Sequence, residues 1–379
     1  LFRKKRAEAN AAQPLSRDEI SLLTVSSAPH IKHPDTARVL MADVLIALTP
    51  AYIWGIYKLS WRALTLGIIS VVACVLFEAL TQKVLKRPVT IGDLSAAVTG
   101  VLLAMNLPVT APLWIPVVGA AFAIIVAKQL YGGIGKNIVN PALAARIFLF
   151  ISFPSYMANY AMPEEKPSPF KITLDAITSA SPDAVGSATP VDGVASATPL
   201  KAFKSGLLPD ESVLTLLIGD HGGSIGELSA LLLVAGGIYL LVRRVISWRI
   251  PVAYIGTVFI LTMLFPKLPL VSDQVALQYA LRQILSGGLM LGAIYMATDY
   301  TTSPVTPRGR IIYGIGCGAI TVFIRYFGGY PEGVSFAILI MNFLVWYIDK
   351  FTRPKHFGWT KPASQDKNKK LREGGEAVK

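Results

Sequence analysis

Apolar residues fall along this chain in long unbroken blocks, not in the short stripes of an amphipathic surface helix. The blocks lie near 39–57, 63–81, 93–108, 111–128, 141–157, 227–243, 250–266, 280–298, 310–326 and 334–351. Each approaches the ~20 residues with which a helix crosses ~30 Å of hydrocarbon. The pattern predicts an all-α integral membrane protein of about ten transmembrane helices. The block at 93–108 is short and opens at Gly92-Asp93, which predicts a half-length or tilted helix.

Composition agrees. Of 379 residues, 53% are hydrophobic and 16% charged, against about 25% charged in soluble domains. Mean hydropathy is +0.52. The net charge of +13 does not point to nucleic acid, because Lys and Arg stand in short runs between apolar blocks, where they set topology. If the tail with Arg3, Lys4, Lys5 and Arg6 is cytoplasmic, so are Lys83, Lys86, Arg87, Lys128, Lys136, Arg243, Arg244, Arg249, Arg308, Arg310 and the tail from Lys350. The opposite loops carry less: Lys58, Arg62, Lys267 and Arg325. The expected layout is a cytoplasmic tail (1–37), a first membrane half (38–157), an external segment (158–226), a second membrane half (227–351) and a cytoplasmic tail (352–379). The polar opening has no apolar run that would mark a cleavable leader.

The halves show a faint likeness. Ser95–Met105 and Ser286–Met296 are each followed by one more block, then by Tyr131-Gly132-Gly133 and Phe327-Gly328-Gly329. Five blocks per half would make this an inverted repeat with short or broken helices. Chance recurrence of small residues in membrane helices is the other explanation.

Charges inside apolar blocks are costly and usually face protein or a water path. Asp43, Glu78, Asp93, Arg146, Glu227, Asp299 and Asp349 lie in or at the ends of apolar blocks. Glu227 and Asp349 read as helix-end residues reaching toward headgroups. Asp43 reads as pairing with a neighbouring helix. Gly132, Gly133 and Gly135 could form an anion-binding nest or a plain tight turn. Asn137 after Lys136 rules out a nucleotide P-loop. Cys74 and Cys317 read as small buried residues, and no Cys or His cluster has metal spacing.

The external segment holds a triplet, Asp175–Ser181, Asp183–Thr189 and Asp192–Thr198, each reading D-x-x-x-S-A-[ST] before Pro. Low-complexity slippage is one source of such a pattern. No His or Lys stands within the motif to activate the Thr198 hydroxyl, so modification by a separate enzyme suits it better than self-activation.

Asp192-Gly-Val-Ala-Ser-Ala-Thr198-Pro-Leu-Lys201 resembles the flavinylation motif of the RnfD/NqrB family of redox-driven ion pumps. Gly132–Arg146, Met296–Pro304 and Phe327–Ala337 are similar to other segments of that family, in the same order. The short N-terminal tail is more like the Rnf branch, a ferredoxin:NAD+ oxidoreductase complex, than the longer-tailed Nqr branch. The resemblance implies FMN joined through its phosphate to Thr198 by a flavin transferase, with Asp192, Ser196 and Ala197 as motif residues. Thr189 also satisfies the short motif, but only Thr198 has the family's Pro-Leu-x continuation. A second, non-covalent flavin (riboflavin) is implied within the same chain. Asn137 and Asn140 carry amides suited to a flavin ring, and Arg146 and Asp299 are candidates for the flavin or cation path.

The reading is one component of a multi-subunit complex in a bacterial or archaeal cell membrane, relaying electrons coupled to Na+ or H+ movement. Ferredoxin and nicotinamide sites would lie on partner subunits, since the chain has no G-x-G-x-x-G after a strand and no cluster-ligating Cys set. The rival is a cofactor-free secondary transporter, and a weaker third is a purely structural anchor.

Overall fold

The computed structural model describes residues 36–160, 199–204, 212–267, 273–330 and 332–354. They form helices and turns, with no strand among them. In chain order these are α1 (Ala37–Leu59), α2 (Trp61–Val84), α3 (Ser95–Met105), α4 (Ile115–Ala121), α5 (Pro141–Ser152), α6 (Pro154–Met157) and α7 (Pro199–Lys204). Then come α8 (Val213–Ile218), α9 (Ala230–Val242), α10 (Arg249–Leu264), α11 (Asp273–Leu285), α12 (Leu289–Leu291), α13 (Pro307–Phe327) and α14 (Val334–Thr352). By length and composition, α1, α2, α13 and α14 can each cross a membrane, and shorter apolar helices accompany them. The chain is a multi-pass membrane protein.

Burial is inverted relative to a soluble helix. On α2, Ile68, Val72, Leu76 and Leu80 recur every fourth residue and are exposed, while Arg62, Ser70, Glu78 and Gln82 on the other face are buried. A face of that kind suits lipid outside and polar pairing inside. Ser70 Oγ donates to the Gly100 carbonyl at 2.8 Å, tying α2 to α3. Small residues permit such close approach. A Cβ on Gly100 would meet Val71 Cα at 2.6 Å, and one on Gly314 would meet the Ile250 carbonyl at 2.9 Å.

Local chemistry sets the helix ends. Ser60 Oγ accepts from the Arg62 N–H to open α2, and Thr306 Oγ1 accepts from Gly309 with Pro307 in the first turn to open α13. Leu94 adopts a left-handed conformation (φ 63°), and Asp93 Oδ1 then takes the Ser95 N–H at 2.8 Å. The result is an 11-residue α3, about 16 Å long, as the short block predicted.

Two helices widen into π turns. Phe122–Gln129 continues α4, and Gly292–Met296 continues α12. The Leu130 N–H reaches back five residues to Ile125, and Ala297 likewise to Gly292. Widening lets consecutive side chains face inward, and such turns collect at functional sites. Lys128 and Gln129 are both buried for this reason. The block expected as one span at 280–298 is instead broken. α11 ends at Leu285, Gly287 takes φ 69°, and α12 restarts at Leu289. Glycine adopts that φ without the steric penalty of a side chain.

Candidate functional site

α3 connects two polar regions. Its first residue, Ser95, lines a cavity of about 300 Å³. The residue after its last turn, Asn106, accepts a hydrogen bond from Arg146 at 2.7 Å.

The cavity lies where α1, α3 and α5 begin and where α9 and the π turn after α12 end. Its walls are largely apolar, with Leu40, Val98, Leu102 and Ile246 among them. Asn137, Asn140 and Asp299, far apart in sequence, meet there together with Thr298, Thr301 and Lys128. The volume sits at the lower end of the ~300–1,000 Å³ typical of small-molecule sites. Asn140 opens α5: its Oδ1 accepts from Ala142 at 3.0 Å and Leu143 at 3.4 Å, and its Nδ2 donates to the Met296 carbonyl at 3.2 Å. One Asn140 amide hydrogen is left over. Asn137 Nδ2 donates to the Val139 carbonyl at 3.2 Å. Asp299 Oδ2 accepts from Thr301 at 3.0 Å and Thr302 at 3.2 Å. Burial lifts the Asp299 carboxyl above its usual range, and the bonds from Thr301, Thr302 and Asn137 oppose the lift. The glycine turn is a tight one, with Gly132, Gly133 and Gly135 all at positive φ, and it delivers Ile134 and Asn137 to the cavity.

Behind one wall lies a buried ion pair. Lys128 Nζ is 2.7 Å from Glu78 Oε1 and donates to Ser95 Oγ at 2.6 Å. Gln129 Nε2 donates to Glu78 at 2.8 Å. Charge counting places Lys128 in a loop; the π turn instead rotates it into the bundle.

The second region surrounds Arg146 on α5. Its guanidinium bonds Asn106, Glu227 at 3.2 Å, and Glu332, whose other oxygen accepts from the Gly288 N–H at 2.8 Å. Glu227 Oε2 also caps the Ser224 N–H at 3.4 Å. Burial pushes the Glu332 carboxyl up, Arg146 pulls it down, and Glu227 pushes it up again. Tyr160, Glu227 and Glu332 border a small cleft with Pro199, the residue directly after Thr198. α7 is anchored beside this cleft. Leu200 and Phe203 are buried, and Phe203 meets Tyr279 edge-on at 5.2 Å.

Asp192, Ser196, Ala197, Thr198 and the rival Thr189 lie outside the described residues. Asn137, Asn140 and Asp299 share the cavity; Arg146 does not line it. Glu227 does not reach for headgroups; it is buried against Arg146. Asp349 accepts from the Val305 N–H at 3.2 Å, holding the turn before α13. Asp43 pairs with its neighbour helix as expected, through Tyr239 at 2.8 Å and Arg243 at 3.1 Å. Arg62 and Arg325, counted as loop charges, are buried and hold carbonyls of Val109, Ala111, Gln283 and Ser286. Sequence reasoning missed Glu332 as a partner of Arg146, although its Pro-Glu-Gly setting between two apolar blocks was a usable signal.

Taken together, these features define a polytopic membrane protein with interrupted helices, a buried ionic lattice and a ligand-sized cavity. Residues 24–358 match the NQR2, RnfD, RnfE family, and the chain belongs to it. It is 46% identical over 341 residues to the D component of the Na(+)-translocating ferredoxin:NAD(+) oxidoreductase complex of Acetobacterium woodii, covering 89% of this chain and 96% of that protein. It is 39% identical over 347 residues to the D component of the proton-translocating ferredoxin:NAD(+) oxidoreductase complex of Clostridium ljungdahlii, covering 89% and 97%. It is 38% identical over 356 residues to the D component of the ion-translocating oxidoreductase complex of Halorhodospira halophila, covering 90% and 98%.

Proposed function

We propose that this chain is the flavin-carrying membrane subunit of an Rnf-type, redox-driven ion pump. It relays electrons through FMN on Thr198 and riboflavin in the cavity, coupled to Na+ or H+ movement across a cell membrane. Its partners are the other subunits, which hold the ferredoxin and nicotinamide sites, and a flavin transferase that loads Thr198. The chain itself has no complete active site. Ten spans in two inverted five-helix repeats, with both termini cytoplasmic and 158–226 external, complete the reading. The short helix α3 and the broken α11–α12 segment stand at corresponding places in the two halves, and each is followed by one more apolar helix, which supports that repeat.

The convergence of Asn137, Asn140 and Asp299 on one cavity carries the riboflavin assignment. The residues fit a flavin ring. Leu40, Val98 and Leu102 offer apolar faces, and the amide and carboxyl groups offer edge partners. Bound flavin supplies one- and two-electron chemistry; the chain supplies position, dryness and electrostatics.

The test is to purify the chain made with a flavin transferase. Expected is yellow protein, flavin fluorescence surviving denaturing electrophoresis, FMN mass on the Thr198 peptide, and a second flavin released on denaturation. Thr198→Val should abolish the covalent signal alone. FMN mass only on the Thr189 peptide would move the attachment point. Colourless protein would favour the cofactor-free transporter, which the buried charges and broken helices also suit.

A further inference from the structure

The cavity has two walls of opposite polarity. The starts of α1, α3 and α5 build one wall, and the end of the π turn after α12, with the turn beyond α9, builds the other. Helix starts carry partial positive charge and helix ends partial negative charge. Among the described lining residues, Lys128 is the one basic side chain and Asp299 the one acidic side chain. Lys128 stands in the positive wall beside Ser95, the first residue of α3. Its partner Glu78 is buried and does not line the cavity. Of the pair, the cationic member, together with the Ser95 that it bonds, belongs to the cavity wall, and the anionic member does not. Asp93 sits further back, holding the Ser95 hydroxyl at 2.6 Å. Burial raises the Asp299 carboxyl, against the bonds from Thr301, Thr302 and Asn137.

Resting on the flavin reading above, we propose that Lys128 makes this cavity prefer the reduced, anionic flavin ring over the oxidised, neutral one. Two electrons and one proton convert the oxidised ring to that anion. The proton sits on N5 and the negative charge spreads over N1 and the C2 oxygen. A buried cation in the wall interacts with the charged form and little with the neutral one. Lys128 is thus a positioning and selectivity residue, and the lattice of Glu78, Gln129 and Ser95 holds it in place.

The experiment uses the full-length chain in detergent, carrying Thr198→Val so that no covalent flavin interferes. Riboflavin, oxidised or chemically reduced under anaerobic conditions, is titrated and its dissociation constant read from protein and flavin fluorescence. The unaltered cavity should bind the reduced form about tenfold more tightly or better, as one charge-assisted contact supplies. Lys128→Gln should lose most of that ratio, chiefly by weakening the reduced form, and Lys128→Arg should retain it. Lys128→Gln leaves Glu78 buried without its cation, so it can fail to fold. Lys128→Gln combined with Glu78→Gln avoids the orphaned charge and should show the same loss. A ratio within about twofold of the parent in that double variant, where one charge-assisted contact predicts about tenfold, overturns the proposal. A parent that binds neither form overturns the flavin reading itself, and this assignment with it.

Discussion

The two ends of α3 show what one helix break can be used for. At its start, a helix opens on an Asp-Leu-Ser turn beside a buried Lys128, and the space in front stays open as a cavity of about 300 Å³. Beyond its last turn, Asn106, Arg146, Glu227, Glu332 and the Gly288 N–H bond to one another in a compact lattice that leaves only a small cleft. Both regions put a base among acids inside apolar surroundings. The Arg146 fork can satisfy three partners at once, so it locks elements together. The Lys128 ammonium satisfies one carboxylate and one hydroxyl, and the cavity lies beside that pair. Lattice and cavity follow from donor geometry as much as from charge.

The largest test of this contrast is Arg146→Leu. It leaves Glu227 and Glu332 buried without their cation and should cost about 3–5 kcal/mol. Thermal unfolding in detergent should show a marked drop or a failure to insert. Adding Glu227→Gln and Glu332→Gln to Arg146→Leu should recover much of the loss; no recovery would mean the cluster is not a charge lattice. Gly100→Leu comes next. It forces α3 away from α2 at Val71, at a cost of about 1–3 kcal/mol, and should loosen both regions together. Retained riboflavin affinity in a destabilised Gly100→Leu protein would show that they are independent.

Ser95→Ala removes the hydroxyl between Lys128 and Asp93. It should cost about 1 kcal/mol of stability and lower riboflavin affinity without touching the Arg146 lattice. The smallest effect is pH. Asp299 has a raised carboxyl, so its contribution to stability is complete below the ordinary aspartate range and declines as pH rises through its folded value. Melting temperature measured across that window should fall slightly in the parent protein and stay flat in Asp299→Asn. A parent curve with the same slope as Asp299→Asn would show that the carboxyl is not raised in the folded protein.

Much of the fold was legible because apolar block length reports directly on helices in a membrane. The short α3 was legible from Gly92-Asp93, and Asp43 from its isolation in an apolar block. The break at Gly287-Gly288 was not, because glycines pack membrane helices as often as they interrupt them. Charge counting placed Lys128, Arg62 and Arg325 in loops, where their position between blocks suggested solvent. Only the π turn and neighbouring carbonyls show that they are buried. Asn137, Asn140 and Asp299 could be suspected individually, but nothing in their spacing said that they share one space.

Block length and composition already establish that this chain lives in a membrane and where its helices fall, and its motifs carry the family to which it belongs. Those properties depend on local composition and order. Tertiary structure alone decided which buried charges meet. Glu332 finds Arg146 186 residues away, and Lys128 finds Glu78 across 50 residues. Pairing across such separations depends on helix rotation and break geometry, which a π turn or one left-handed residue can reset without changing the hydropathy pattern.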